Sequence, residues 1–178
     1  PVHALPPEAL RTVRAAAMLI DLGAETSRAY RHVVARDLML RQPVADLGAE
    51  AQQDVAVALY LHRKRITPER LEAAFPAPPS DDARRTALAV AVLVRLAAAL
   101  DASHSQSTRI VDAAVEGEQA RITVAGPRAE RDLRGARRRS DLWDEVFATP
   151  IVWREAPAVA PPQVAASGAT DVQPDDSI

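Results

Sequence analysis

LVRLAAALDASHSQSTRI, residues 93–110, decides how the chain folds. Residues 87–94 just before and into it are apolar all round, which is the mark of a helix buried on most faces. Ser80, Asp81 and Asp82 offer oxygen acceptors for that helix's first N–H groups. Arg95 interrupts the apolar run, and Asp101 stands near the helix end. A carboxylate there opposes the helix dipole, so it requires a partner. Either Asp101 pairs with Arg95 or a nearby basic side chain, or it lies in a site. Ser103, His104, Ser105, Gln106 and Ser107 form a polar turn, and beyond Thr108 the period changes from helix to strand.

Working back from this helix, the sequence predicts four shorter ones. Pro6, Pro7 and Glu8 start the first, with Leu10, Val13, Ala17 and Leu19 or Ile20 at helical spacing and Gly23 closing it. The second spans about residues 25–41, with Tyr30, Val33, Val34, Asp37 and Leu38 near one side and Pro43 ending it. Residues 48–62 make a third through Val55, Leu59 and His62, and Thr67, Pro68 and Glu69 cap a short fourth with Leu71 and Phe75. Residues 76–79, Pro-Ala-Pro-Pro, are a rigid connector.

Working forward, residues 109–115 and 119–124 roughly alternate in polarity around a Glu-Gly-Glu turn, which predicts a hairpin. Residues 127–148 read as one charged amphipathic helix, and 149–155 as a last strand. The expected fold is mainly α with a small α+β end: a helical bundle over 1–108, then a three-stranded sheet with one helix packed on it over 109–155. Residues 156–178, rich in Pro and Ala, are expected to be a disordered tail.

Composition narrows the function classes. Of 178 residues 48% are hydrophobic but only 3% aromatic, so the core is built from Ala, Leu and Val, which suits closely packed helices. A formal charge of −2 gives no global attraction to nucleic acid or an acidic membrane. The absence of Cys excludes disulfides, thiolate metal sites and Cys nucleophiles. No segment reads as a membrane span or a signal peptide, so a cytoplasmic protein is the default. The first residue is Pro, which suggests a processed product or a fragment. No phosphate-cradling glycine loop, zinc-protease or serine-hydrolase motif is present.

Five segments carry chemistry or packing. LxxALDxSH ends the long helix at 96–104. MLIDLG occupies 18–23, RAYRHV 28–33 and LYLHRKRI 59–66. SDLWDEVF at 140–147 leads into Thr149, Pro150 and Ile151. In the fourth of these, His62, Arg63, Lys64 and Arg65 stand at a helix end, where cations either complement the dipole or bind phosphoryl oxygens. Arg131, Arg134 and Arg138 share a helical face, but Glu130, Asp132, Asp141, Asp144 and Glu145 interleave with the basic residues, as on an ordinary solvated helix.

In their order and spacing these segments resemble the C-terminal HD-like helical domain of the exopolyphosphatase / guanosine pentaphosphate phosphatase family. The resemblance spans roughly residues 5–155. Members of that family join an actin-like phosphotransferase domain, which carries the catalytic carboxylate and phosphate loops, to this helical domain. They release terminal phosphate from inorganic polyphosphate or guanosine pentaphosphate with a divalent cation, Mg. The resemblance implies that this chain binds polymer and supports a homodimer, holds no catalytic residue and no metal of its own, and is inactive alone. His62, Arg63, Lys64 and Arg65 become the expected polyphosphate contacts. Asp21, His32, Arg95 and Asp101 become the degenerate or structural HD positions, with Arg95 and Asp101 organising the helix end. Where HD enzymes carry a metal-binding His before the Asp, this chain has Ile20. That replacement favours an alternative, a free-standing, catalytically inactive HD-like module binding a nucleotide or a protein partner. An active HD phosphohydrolase would need His and Asp ligands that are not found in order.

Overall fold

The computed structural model describes residues 5–26 and 29–157; the tail expected over 156–178 lies almost wholly outside them. The order is α1 (Ala9–Met18), α2 (Arg31–Arg41), α3 (Ala49–Leu61), α4 (Pro68–Ala73), α5 (Asp81–Leu100), β1 (Arg109–Glu116), β2 (Gln119–Ala125), α6 (Ala129–Arg139), α7 (Asp141–Val146) and β3 (Ile151–Glu155). The protein is mainly α with a small α+β end. Among the described residues no helix is long and apolar enough to cross a membrane.

α3 and α5 are the two helices buried on most sides, and the sheet meets the helices through α6. α3 is buried continuously from Val55 to Leu61. α5 buries Ala87, Val90, Val92, Val94, Leu96 and Ala99 among others, and the Ser80 side chain accepts the Ala83 N–H to cap it. α1 and α2 pack on α3, while α6 and α7 pack on α5. In the sheet β1 and β2 are antiparallel, and β3 returns parallel to β2 after α6 and α7. One hydrophobic cluster runs from Ala16 and Met39 through α3 and α5 to Val124, Leu133, Leu142 and Trp153.

Several local expectations are corrected. α1 buries Ala9, Thr12 and Ala16 and leaves Leu10 exposed, because the small side chains let it lie close on α3 and α5. α2 begins at Arg31, not near 25, and buries His32, Ala35 and Met39; Tyr30 and Leu38 face outward. Gly23, at φ +80°, closes the turns after α1, and a Cβ there would press on the Arg31 carbonyl and Val34. β1 has no buried face: it is an edge strand whose Ile110, Val111 and Val115 are exposed.

The single helix expected over 127–148 is two helices broken at Ser140. Its hydroxyl donates to the Ala136 carbonyl at 3.0 Å and accepts the Trp153 indole N–H at 3.0 Å. Asp141 then opens α7 with its carboxylate at the helix N-terminus, the favourable end of the dipole. Gly135 brings α6 against α5: a Cβ there would lie 2.9 Å from the Ala99 carbonyl oxygen.

Candidate functional site: an arginine-lined cleft at the end of the central helices

The last turns of α1, α3 and α5 and the end of α6 enclose a cleft of about 600 Å³. Its lining includes Ile20, Asp21, Arg31, His62, Arg63 and Asp101, together with His104, Gln106, Arg138 and Arg139. Four helix C-termini meeting here would on their own make it electronegative. The α3 end, however, is capped by arginines. Arg95 Nη1 donates to the Leu61 carbonyl at 2.6 Å, and Arg139 Nη1 donates to the His62 carbonyl at 2.8 Å. Arg70 Nη2 donates to the Tyr60 carbonyl. With those carbonyls taken, the lining carries four Arg, at 31, 63, 138 and 139, against Asp21 and Asp101.

Arg95 is fully buried, and its carboxylate partner is Asp141, not Asp101. The pair is bidentate: Nη2 lies 2.7 and 2.9 Å from the two carboxylate oxygens, and Nε lies 3.0 Å from one of them. Asp141 also accepts the Ile66 N–H at 2.9 Å. One ion pair thereby joins α3, the α3–α4 loop, α5 and α7. Asp141 thus belongs to this network and not to a solvated helix face, as the charge pattern suggested.

Asp101 lines the cleft and accepts the Gln106 N–H at 2.8 Å. This contact orders the turn, where His104 and Gln106 both take positive φ. Behind the turn the buried Asp132 carboxylate accepts from the Ser103 N–H at 2.8 Å and from the Thr108 hydroxyl at 2.6 Å. The serines contribute a chain of hydroxyl contacts, Ser103 to Ser105 to Ser107, each 2.7 Å. Most of this polar cluster is turn architecture.

The expected anion patch divides. His62 and Arg63 line the cleft, whereas Lys64 and Arg65 are exposed outside its lining, with the Lys64 ammonium over the Tyr30 ring at 5.9 Å. His62 is not one of the cations. It is 3% exposed, and burial together with the charges of Arg31, Arg139 and Arg95 pushes its pKa down to about 4, despite the opposing hydrogen bond to Leu59. Its Nδ1 lies 2.7 Å from the Leu59 carbonyl oxygen. Only a protonated nitrogen bonds a carbonyl, so the neutral ring carries its proton on Nδ1 and Nε2 is an acceptor.

Of the degenerate positions, Asp21 pairs with Arg31 at 3.4 Å at the cleft rim. His32 is elsewhere and is buried. It packs against Tyr60 at 5.3 Å, and its Nε2 accepts from Arg70 Nη1 at 3.2 Å. The residues present do not fit a divalent metal: Ile20 cannot coordinate, and among the described residues no three His, Asp or Glu side chains converge. Sequence reasoning missed Arg31, Arg138 and Arg139 as cleft residues. The first adjoins a turn, and the other two are hidden in a charged helix, where nothing in the spacing separates them from Arg134, which pairs with Glu130 at 2.6 Å.

Compared with known proteins, the chain matches no family model and no curated protein.

Proposed function

We propose that this chain is the C-terminal, substrate-binding portion of an exopolyphosphatase-like phosphohydrolase, and that the arginine-lined cleft holds phosphoryl oxygens of inorganic polyphosphate or guanosine pentaphosphate. The observation that supports it is the excess of Arg31, Arg63, Arg138 and Arg139 over Asp21 and Asp101 around one cavity. Guanidinium groups bind phosphoryl oxygens in paired, geometrically matched contacts. In this reading the chain contributes binding and homodimer contacts in the cytoplasm, and cleavage, with its Mg, belongs to an actin-like domain.

The test separates the two halves of the basic patch. Inorganic tripolyphosphate is titrated into the chain at several salt concentrations. Arg63→Ala and Arg138→Ala should each weaken binding about three- to tenfold and flatten its salt dependence. Lys64→Ala and Arg65→Ala should change little. Equal losses at all four positions, or none, would remove the cleft from the account.

Ile20 supports a second reading. It stands at the cleft where a metal-binding His would be needed, which suits a catalytically inactive HD-like module that binds a nucleotide or a protein partner. The size of the native polypeptide in its own cells separates the two. A mass far above 19.1 kDa favours the first reading, and a mass near that value favours the second.

A further inference from the structure

The outer edge of the sheet is β1, which pairs with β2 alone among the described residues. Exposed edges are ordinarily guarded by Lys, Pro or a bulge. β1 has neither Lys nor Pro. Its bulge lies between Ile110 and Asp112, so the register is unbroken from Asp112 to Glu116.

The direction of the backbone groups follows from β2. The Ala120 N–H donates to the Pro150 carbonyl, and the Val124 carbonyl accepts from the Ala156 N–H, both on the β3 side. Backbone groups alternate along a strand, so Arg121 and Thr123 turn theirs to β1, where their partners are Ala114 and Asp112. Ala113 and Val115 therefore turn their N–H and C=O groups to the open edge. Their side chains share a face with Ile122 and Ala120, the residues opposite them. On that face Ala120 is buried in the cluster with Leu133 and Trp153, but Val115 is 58% exposed and Ile110 55%. The apolar face of the sheet continues past its cover.

Charge decides what can complete it. Asp112 and Glu116 lie on the opposite face, paired with Arg121 at 2.8 and 2.7 Å. At the two ends Arg109 and Glu118 are exposed and make no ion pair among the described residues. A second β1 running antiparallel brings Arg109 of each copy to the Glu-Gly-Glu turn of the other, whereas a parallel one brings like ends together. Centred on Ala113, the antiparallel pairing sets Val111 opposite Val115 and Asp112 opposite Ala114. Moved by two residues either way, it sets Asp112 against Glu116 or against another Asp112, and like charges directly opposite are unfavourable.

We propose that β1 pairs antiparallel with β1 of a second copy of this chain, centred on Ala113, so that the two three-stranded sheets become one. This gives a surface to the homodimer contacts of the reading above and rests on that part of it alone; anion binding in the cleft is independent of it.

Sedimentation equilibrium of the full chain should show a reversible dimer of twice 19.1 kDa. Val115→Lys, a change at an exposed position, should weaken the dimer about tenfold or more. Arg109→Glu and Glu118→Arg should each weaken it about three- to tenfold, and the two combined should restore it. Ala113→Cys, the single thiol in a chain without Cys, should oxidise to a covalent dimer, because directly opposed hydrogen-bonded residues have Cα atoms about 5.5 Å apart. A dimer indifferent to Val115→Lys and to the charge exchanges overturns the inference and leaves a homodimer built on another surface. A monomer at every concentration leaves the edge to some other partner and overturns the inference and the homodimer contacts together. Tripolyphosphate binding in the same samples shows separately whether the cleft reading survives.

Discussion

His32 and His62 stand close to the same helix, α3, and differ in the ring nitrogen that is bonded: Nε2 to Arg70 in one, Nδ1 to the Leu59 carbonyl in the other. Both are buried, and in both burial comes first among the causes that lower the pKa to about 4. On the α2–α4 side His32 Nε2 accepts from Arg70, whose guanidinium, like that of Arg36, lies over the Tyr60 ring. The Arg70 Nε–H has no partner among the described residues, but the Nε2 of His32 has one. On the α5–α6 side His62 lies among Arg31, Arg95 and Arg139, yet its Nε2 has no partner among the described residues and the residue lines a cleft. The same side chain in a similar field is a core residue on the α2–α4 side and lines a cleft on the α5–α6 side.

The strongest way to break the comparison is to remove the buried cation under His62. Arg95→Leu leaves the Asp141 carboxylate and the Leu61 carbonyl without their partner, and losing one member of a buried ion pair costs about 3–5 kcal/mol. Urea unfolding should show that loss, and tripolyphosphate binding should fall with it.

Acid tests what the two histidines share. Each has a folded pKa below its ordinary 6.5, so the unfolded chain binds the proton first. The stability they contribute is complete above 6.5 and is lost as the pH falls toward 4. Asp54 acts oppositely: burial and then Glu50 raise it to about 6, so from 6 down to its ordinary 3.8 the folded state takes up the proton first. Two histidines against one carboxyl leave about 1.4 kcal/mol lost per pH unit between 6 and 4. Asp54→Asn should steepen that slope, and His32→Leu or His62→Leu should flatten it, in unfolding curves taken across the window.

Two smaller changes separate the sides. Gly135→Ala forces α6 away from the Ala99 carbonyl and should cost about 1–3 kcal/mol as an overpacked contact. Because α6 carries Arg138 and Arg139, phosphate binding should weaken while the His32 cluster is untouched. His32→Leu strips Arg70 of an acceptor and His62→Leu strips the Leu59 carbonyl of its Nδ1–H donor, so each should cost about 1–2 kcal/mol beyond the packing change, but only His62→Leu should alter tripolyphosphate binding. Altered binding in both variants, or in neither, would erase the distinction.

Much of the fold was legible in the sequence because it rests on local signals. The Ser80 cap and the apolar run of α5, the Thr67 cap of α4 and the Glu-Gly-Glu hairpin turn each declare themselves within a few residues. The burial faces of α1 and α2 were displaced because small residues, Ala9, Thr12 and Ala16, pack inward while Leu10 and Tyr30 do not. The break at Ser140 depends on Trp153 and the pairing of Asp141 on Arg95, 46 residues away, neither of which local periodicity contains. Of the candidate site, Asp21, His62, Arg63 and Asp101 were singled out from the sequence and do come together. Arg138 and Arg139 were not, because their role arises only where the end of α6 meets the ends of α3 and α5, and Arg31 was not, because it reaches the cleft from the start of α2.

The most direct measurement follows the imidazole nitrogens of His32 and His62 in ¹⁵N-labelled protein while inorganic tripolyphosphate is titrated in. Both rings should begin neutral at pH 7. The His62 signals should move with tripolyphosphate, and stay still in Arg63→Ala at the same concentrations, while those of His32 should not shift. Movement of His32 alone, of both rings equally, or of neither would contradict the assignment of the cleft as the binding site.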